Sequence, residues 1–268
     1  MMITVGMDEL YAGAVGSKQT VITGTGTIMK ITSNFHDIPP FTRSAVVENL
    51  IIDGQGVAGT TGLLLENVGG AFIRNITIRN CDVGIHLRNI DGGWTESNHL
   101  QHIRMENVKK GILFNTAGKS GADPGDSFGH SYIDDVSIVL RNTAGTVGIQ
   151  VGDVSDPSGV LVKPYFSFIK ANVWLNSQDA CGVKLVNRGE LRLCLVNIGV
   201  HGNGTGTALD LTESTASILN PPIRDSQSAN SASNINGFVL RTQNVATNIK
   251  NKSGLLAYAV SDITVVSL

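Results

Sequence analysis

The sequence predicts an all-β fold of short stacked strands, on three observations. The first is the phrase Gly84-Ile-His-Leu-Arg-Asn89, a glycine before two apolar residues separated by a polar one. It recurs six times, from Gly62, Gly111, Gly148, Gly182, Gly206 and Gly237, and the copy at Gly206 matches least well. Glycine-to-glycine intervals are 22, 27, 37, 34, 24 and 31 residues. One short strand repeated at such intervals marks a stacked architecture. The second observation is a companion phrase, seen at Asn49, Asn75, His102, Asp135, Asn172 and Asn197. Each of these polar residues precedes apolar residues at the next and third positions. The third is composition: 31 Gly, 7 Pro, 41% hydrophobic and 16% charged residues. That balance supplies a core and many tight turns.

Residues 1–45 read as an N-terminal arm or cap with a first incomplete coil. Thr20-Val-Ile22 and Ile28-Met-Lys-Ile-Thr32 are their strand-like pieces. An open first level of strands needs cover, because bare strand edges invite pairing with other chains. Residues 46–268 read as the stack. Before each companion phrase lies another short strand, for example Ala71-Phe-Ile-Arg74, so two strands meet at one Asn, His or Asp. Such a hinge requires positive φ, which Asn and Asp tolerate best among non-glycine residues. Alternation then points Ile76 and Ile78, Ile85 and Leu87, Ile112 and Phe114, Ile149 and Val151, and Val183 and Leu185 inward. Asp53, Arg79 and Glu106 form an outward ladder of alternating charge. Loops at 116–130, 153–164 and 212–236 interrupt the repeat, and binding specificity is expected in such projections. The segment 248–268 reads as one last level.

Three strands per coil with an Asn bend resembles the right-handed parallel β-helix of the pectin-lyase-like superfamily. The resemblance covers about Val46 to Leu268 and implies about seven to eight coils. It fixes fold more than task, since this fold carries many functions. Its hydrolases use clustered aspartates with a His and an Arg/Lys pair, and its lyases use Ca²⁺-binding carboxylates with a basic residue. The phrase Trp94-Thr95-Glu96 before a strand resembles β-helix surface proteins of tailed viruses, such as tailspikes, fibres and decoration proteins.

Asp134 and Asp135 are adjacent carboxylates able to divide acid and base work, but Asp135 also occupies the bend register. His201 lies in Val200-His-Gly202, without the Gly-His-Gly and Arg-x-Lys phrases of the hydrolases. Glu96 is a further acid/base candidate. Trp94, Glu96, His99, Asp126, His130 and Trp174 are candidates for glycan binding, because pyranose rings stack on aromatic faces. Asp91, Asp123, Asp126 and His130 are weighed as a metal or acid/base cluster against plain solvation. Cys81, Cys181 and Cys194 lack ligand spacing and read as small buried hydrophobes. No metal and no cofactor are expected.

The functional reading is a non-enzymatic structural or adhesive β-helix, a virion surface component that binds host glycans. The alternative is a polysaccharide-degrading glycoside hydrolase or lyase. Met1 to Val15, with Asp8 and Glu9, does not read as a signal peptide. The expected location is therefore a virion surface after synthesis in the cytoplasm, with an extracellular location as the alternative. No run approaches the ~18 apolar residues of a membrane span, and a net charge of −2 argues against a nucleic-acid surface. Expected partners are viral capsid or tail proteins, host cell-surface glycans and further copies in a homotrimer with parallel axes. The outward residues Leu64, Leu113 and Val239, or Ile51 and Trp174, are the faces expected to join those copies.

Overall fold

The computed structural model describes residues 2–6, 9–13, 20–32, 45–90, 93–117, 126–153, 162–187, 189–191, 194–212, 218–219, 238–250 and 263–268. Among the described residues the chain is all-β, without a helix, and every strand pairing is parallel. A nine-stranded sheet holds β1 (Ile3–Val5), β4 (Thr27–Thr32), β6 (Thr61–Glu66), β8 (Val83–Ile90), β10 (Lys110–Ala117), β13 (Val147–Val151), β16 (Cys181–Leu185), β19 (Thr207–Asp210) and β22 (Thr247–Lys250), in that order. A ten-stranded sheet runs through β2 (Leu10–Ala12), β5 (Val46–Asp53), β7 (Phe72–Arg79), β9 (His99–Val108), β12 (Tyr132–Leu140), β15 (Phe168–Trp174), β18 (Leu195–His201), β21 (Phe238–Gln243) and β23 (Ile263–Ser267), with β3 (Thr20–Thr23) also on β5. Two short ladders join β11 (Asp126–Ser127) to β14 (Val162–Lys163) and β17 (Glu190–Leu191) to β20 (Ile218–Leu219). From β5 onward the chain alternates between the two large sheets. Parallel neighbours need a crossover connection, and here a strand of the opposite sheet supplies it. The result is a β-helix-like stack.

The core lies between the large sheets and follows the alternation. Ile76, Ile78, Ile85, Leu87, Ile112, Phe114, Ile149, Val151, Val183 and Leu185 are all buried. The repeated glycine has a steric cause. A Cβ on Gly62, Gly84, Gly111, Gly148 or Gly182 would stand 2.5–2.7 Å from the facing side chains Ile78, Met105, Ile138, Val173 and Val200. The sheets approach too closely there for any side chain. At the next level the register puts Ala208 in this column, beside Gly182, while Gly206 is a turn residue at φ 76°. The expected copy at Gly237 also belongs elsewhere: Phe238–Gln243 pairs in the ten-stranded sheet, and Thr247–Lys250 continues the nine-stranded one.

The expected bends stand at Asn49, Asn75, His102 and Asp135, with φ between 52° and 60°. Asn172 and Asn197 do not take positive φ. The register shifts between Ile133/Val136 and Ile169/Ala171, so β15 lacks the hinge residue that β12 contains. Asn172 consequently lies beside Ser137, past the bend position. A second corner, unseen in the sequence, precedes the ten-stranded sheet at Gly70, Ser97, His130 and Phe166, again with positive φ. The outward charge ladder is half formed. Arg79 Nε pairs with Asp53 at 2.8 Å, whereas Glu106 pairs with Arg104 on its own strand at 2.5 Å.

Outward positions of the nine-stranded sheet are mostly covered. Leu64, Leu113 and Gln150 are each 4% exposed, so Leu64 and Leu113 are not the free stripe expected from alternation. Val239 lies in the other sheet, beside Asn197. Under this cover Glu66 meets Lys30 Nζ at 2.5 Å and the Arg88 guanidinium. Burial pushes the Glu66 pKa up, but the hydrogen bonds and charges of Lys30 and Arg88 outweigh it and hold the carboxyl below its usual range. His86 touches Asn115 Oδ1 at 2.6 Å, and burial pushes its pKa down to about 4. The three cysteines are buried thiols, and burial raises Cys81 to about 11. No helix among the described residues is long and apolar enough to cross a membrane.

Candidate functional site

The bends divide the ten-stranded sheet into two limbs, and each limb presents outward side chains to solvent. On the second limb, Val139, Trp174 and His201 follow one another in register on β12, β15 and β18. His201 stacks on the indole of Trp174 with centroids 5.0 Å apart and planes 14° apart. One face of the indole is thereby used. The other faces the preceding level, where Val139 and Ser137 are short. This step leaves a hollow of about 340 Å³ lined by Arg104, Ser137, Val139, Trp174 and Asn176. Small-molecule sites start at about 300 Å³. Trp174 is 36% exposed. Asn176 Nδ2 donates to Leu140 O at 2.6 Å, which fixes the amide at the rim. His201 Nδ1 lies 2.9 Å from Gln243 Oε1, which steadies the ring behind the indole. The hollow therefore offers an aromatic wall, a hydroxyl, an amide and a guanidinium already balanced by Glu106.

The first limb gathers the other candidates along one edge. His99 stacks on Phe72 at 4.6 Å and tilts against Tyr132 at 5.8 Å. Tyr132 stacks on Phe168 at 4.9 Å. At the adjoining corner His130 stacks on Phe166 at 5.6 Å, and Trp94 is 47% exposed. Glu96 is buried, and its Oε1 accepts a hydrogen bond from the Tyr165 hydroxyl at 3.0 Å. Gly129 makes this reach possible, because a Cβ there would stand 2.6 Å from the Tyr165 ring. Phe72, Tyr132, Phe166 and Phe168 are not among the site candidates that the sequence offers. They come into line only through register, and no local phrase marks them.

Asp134 and Asp135 do not converge on one point. Asp134 binds Lys170 Nζ at 3.1 Å and the Tyr132 hydroxyl at 3.3 Å. Desolvation raises its pKa, but Lys170 and Tyr132 outweigh that and hold the carboxyl below its usual range. Asp135 sits at the hinge and meets His102 Nδ1 at 2.7 Å. An ionised, lysine-bound aspartate and a hinge aspartate are poorly suited to acid/base partnership. Asp91 and Asp123 lie outside the described residues, as does the side chain of Asp126. Among the described residues no three His, Cys, Asp or Glu side chains are grouped to hold a metal ion.

No protein-family model matches the chain, and no curated protein matches it significantly. Among solved structures, the chain is similar to the catalytic domain of a GH87 α-1,3-glucanase in complex with nigerose. The identity is 11% and the TM-score 0.23. The match covers 99% of this chain but 63% of the glucanase domain. At that score the likeness carries no argument about the site.

Proposed function

We propose that the chain is a non-enzymatic, glycan-binding right-handed parallel β-helix with three strands per coil, carried on a virion surface. The observation that supports binding is the hollow at Trp174, with one indole face open beside Ser137, Asn176 and Arg104. An aromatic wall with a few hydrogen-bonding groups suits a pyranose, whose C–H face packs on the indole while its hydroxyls reach the rim. The reading without cleavage is supported by the partners of three candidate carboxylates among the described residues. Asp134 is bound to Lys170, Asp135 to His102, and Glu96 to Tyr165. The virion setting draws on the resemblance of Trp94-Thr95-Glu96 to viral surface proteins. Binding to a panel of cell-surface oligosaccharides, followed by reducing-end and unsaturated-product assays, tests the reading. Binding without products is expected, lost in Trp174→Ala. New reducing ends or unsaturated products, abolished by Asp134→Ala, would establish the hydrolase or lyase alternative. Detection of the chain in purified particles tests the virion setting.

A further inference from the structure

The first limb of the ten-stranded sheet carries a second exposed surface with different chemistry. Phe72, His99, Tyr132 and Phe168 stand in consecutive register. Val46 and Leu10 extend this column at one end, and Leu195 at the other. Leu10, Phe72 and Leu195 are 65%, 42% and 53% exposed. Seven levels at about 4.8 Å give a stripe about 29 Å long. Val46, His99, Tyr132 and Phe168 are half-buried, and a mostly apolar stripe of this length is the kind of surface that interactions use. The rings spend their faces on one another, so the stripe presents ring edges. A pyranose needs a ring face, whereas ring edges pack well against another apolar surface.

A second outward column runs beside the first, two residues further along each strand: Glu48, Arg74, Gln101, Asp134 and Lys170. Glu48, Arg74, Gln101 and Asp134 are register partners. Glu48 pairs with Arg74 at 2.5 Å, and Asp134 with Lys170 at 3.1 Å. The sequence of charges along the axis is minus, plus, neutral, minus, plus. Reversing its direction inverts every sign and keeps Gln101 in the centre.

We propose that this face joins two copies of the chain in a two-fold dimer with antiparallel stacks, centred on His99 and Gln101. A two-fold axis along the strand direction at β9 keeps each column opposite its own kind and reverses the levels. Glu48 then meets the partner copy at the height of Lys170, and Arg74 at the height of Asp134. In the apolar column Leu10 meets Leu195, Val46 meets Phe168, and Phe72 meets Tyr132. Parallel stacks fail on the same residues. They set Glu48 against Glu48 and Arg74 against Arg74, or else slide the charged column onto the rings. Like charges placed opposite one another disfavour such a pairing. The face thus rejects a parallel ring and also a strongly charged partner, since its own charges are already balanced.

Two columns about 7 Å apart, with their flanks, give a patch about 13 Å wide, hence about 400 Å² per copy in projection. That is below the ~800 Å² per partner of a standard interface, so the dimer is reversible. The test has two arms. Sedimentation equilibrium of the unaltered chain, from micromolar to high micromolar concentration, is expected to show a monomer–dimer equilibrium. Arg74→Asp is expected to weaken it about tenfold or more, and the double variant R74D with D134R to restore it. A monomer at every concentration, a trimer, or no restoration in the double variant overturns the proposal. The second arm uses a short bismaleimide, because packed sheets stand about 10 Å apart. The natural cysteines are buried and do not compete. Gln101→Cys is expected to cross-link to itself. Glu48→Cys is expected to cross-link only when mixed with Lys170→Cys. Self-linking of Glu48→Cys would mean parallel stacks and would contradict the arrangement.

Discussion

The outer faces of the two large sheets differ more than their inner faces do. Both contribute alternating apolar residues to one core. Outside, Leu64, Leu113 and Gln150 of the nine-stranded sheet are 4% exposed, whereas Phe72, Trp174 and Leu195 of the ten-stranded sheet are 36–53% exposed. Alternation within a strand decides which side chains face away from the core. It does not decide which of those meet water. The consequence is functional. The covered face holds an ion cluster around the buried Glu66 and a neutral histidine, while the open face carries both the Trp174 hollow and the aromatic stripe.

Charge insertion separates the two faces with the largest expected effect. Leu113→Asp buries a carboxylate between His86 and Gln150 and is expected to cost about 3 kcal/mol in urea denaturation. Val21→Asp, at an outward and 48% exposed position of β3, is expected to cost less than about 1 kcal/mol. Equal losses would erase the distinction. Next comes Glu66→Ala, which strands Lys30 and Arg88 without their shared carboxylate. Partial exposure of both cations tempers the penalty, so about 2–4 kcal/mol is expected. A neutral outcome would mean that the face is wet.

The pH dependence is smaller. His86 has a folded pKa of about 4, below its ordinary value, so the unfolded chain takes up the proton first. Stability from this group is full above about pH 6.5 and falls as pH drops toward 4, by roughly 1–3 kcal/mol. His86→Gln is expected to flatten that window, and an unchanged slope would place the titration elsewhere. The smallest effect belongs to Asp135→Asn. The pair with His102 is well exposed, and Asn occupies the same hinge at Asn49 and Asn75. A change within about 1 kcal/mol is expected in thermal denaturation. A larger loss would show that the hinge needs the charge.

Much of this arrangement is legible in the chain, and the exceptions have physical causes. Ile76 and Ile78, or Ile85 and Leu87, announce their side because alternation is local. The hinges at Asn49, Asn75, His102 and Asp135 are legible because positive φ restricts residue type. Asn172 misleads because an Asn before alternating apolar residues fits a strand equally well once the hinge residue is lost. The glycine column is visible as a repeat, but its cause, the closeness of Ile78, Met105 and Ile138, comes from the opposite sheet. Trp174 stands out as a residue, yet its hollow depends on Val139 and Ser137 from an earlier level. The stripe from Phe72 to Phe168 depends wholly on register across irregular intervals.

The most direct test of the Trp174 site uses the chain's two tryptophans. Trp94→Phe leaves Trp174 as the single reporter, and its fluorescence is followed during titration with an oligosaccharide that binds the unaltered chain. A saturating change in emission, abolished by Asn176→Ala combined with Ser137→Ala and without release of reducing ends, is the expected result. Undiminished binding with silent Trp174 emission would contradict the assignment of the hollow as the glycan site.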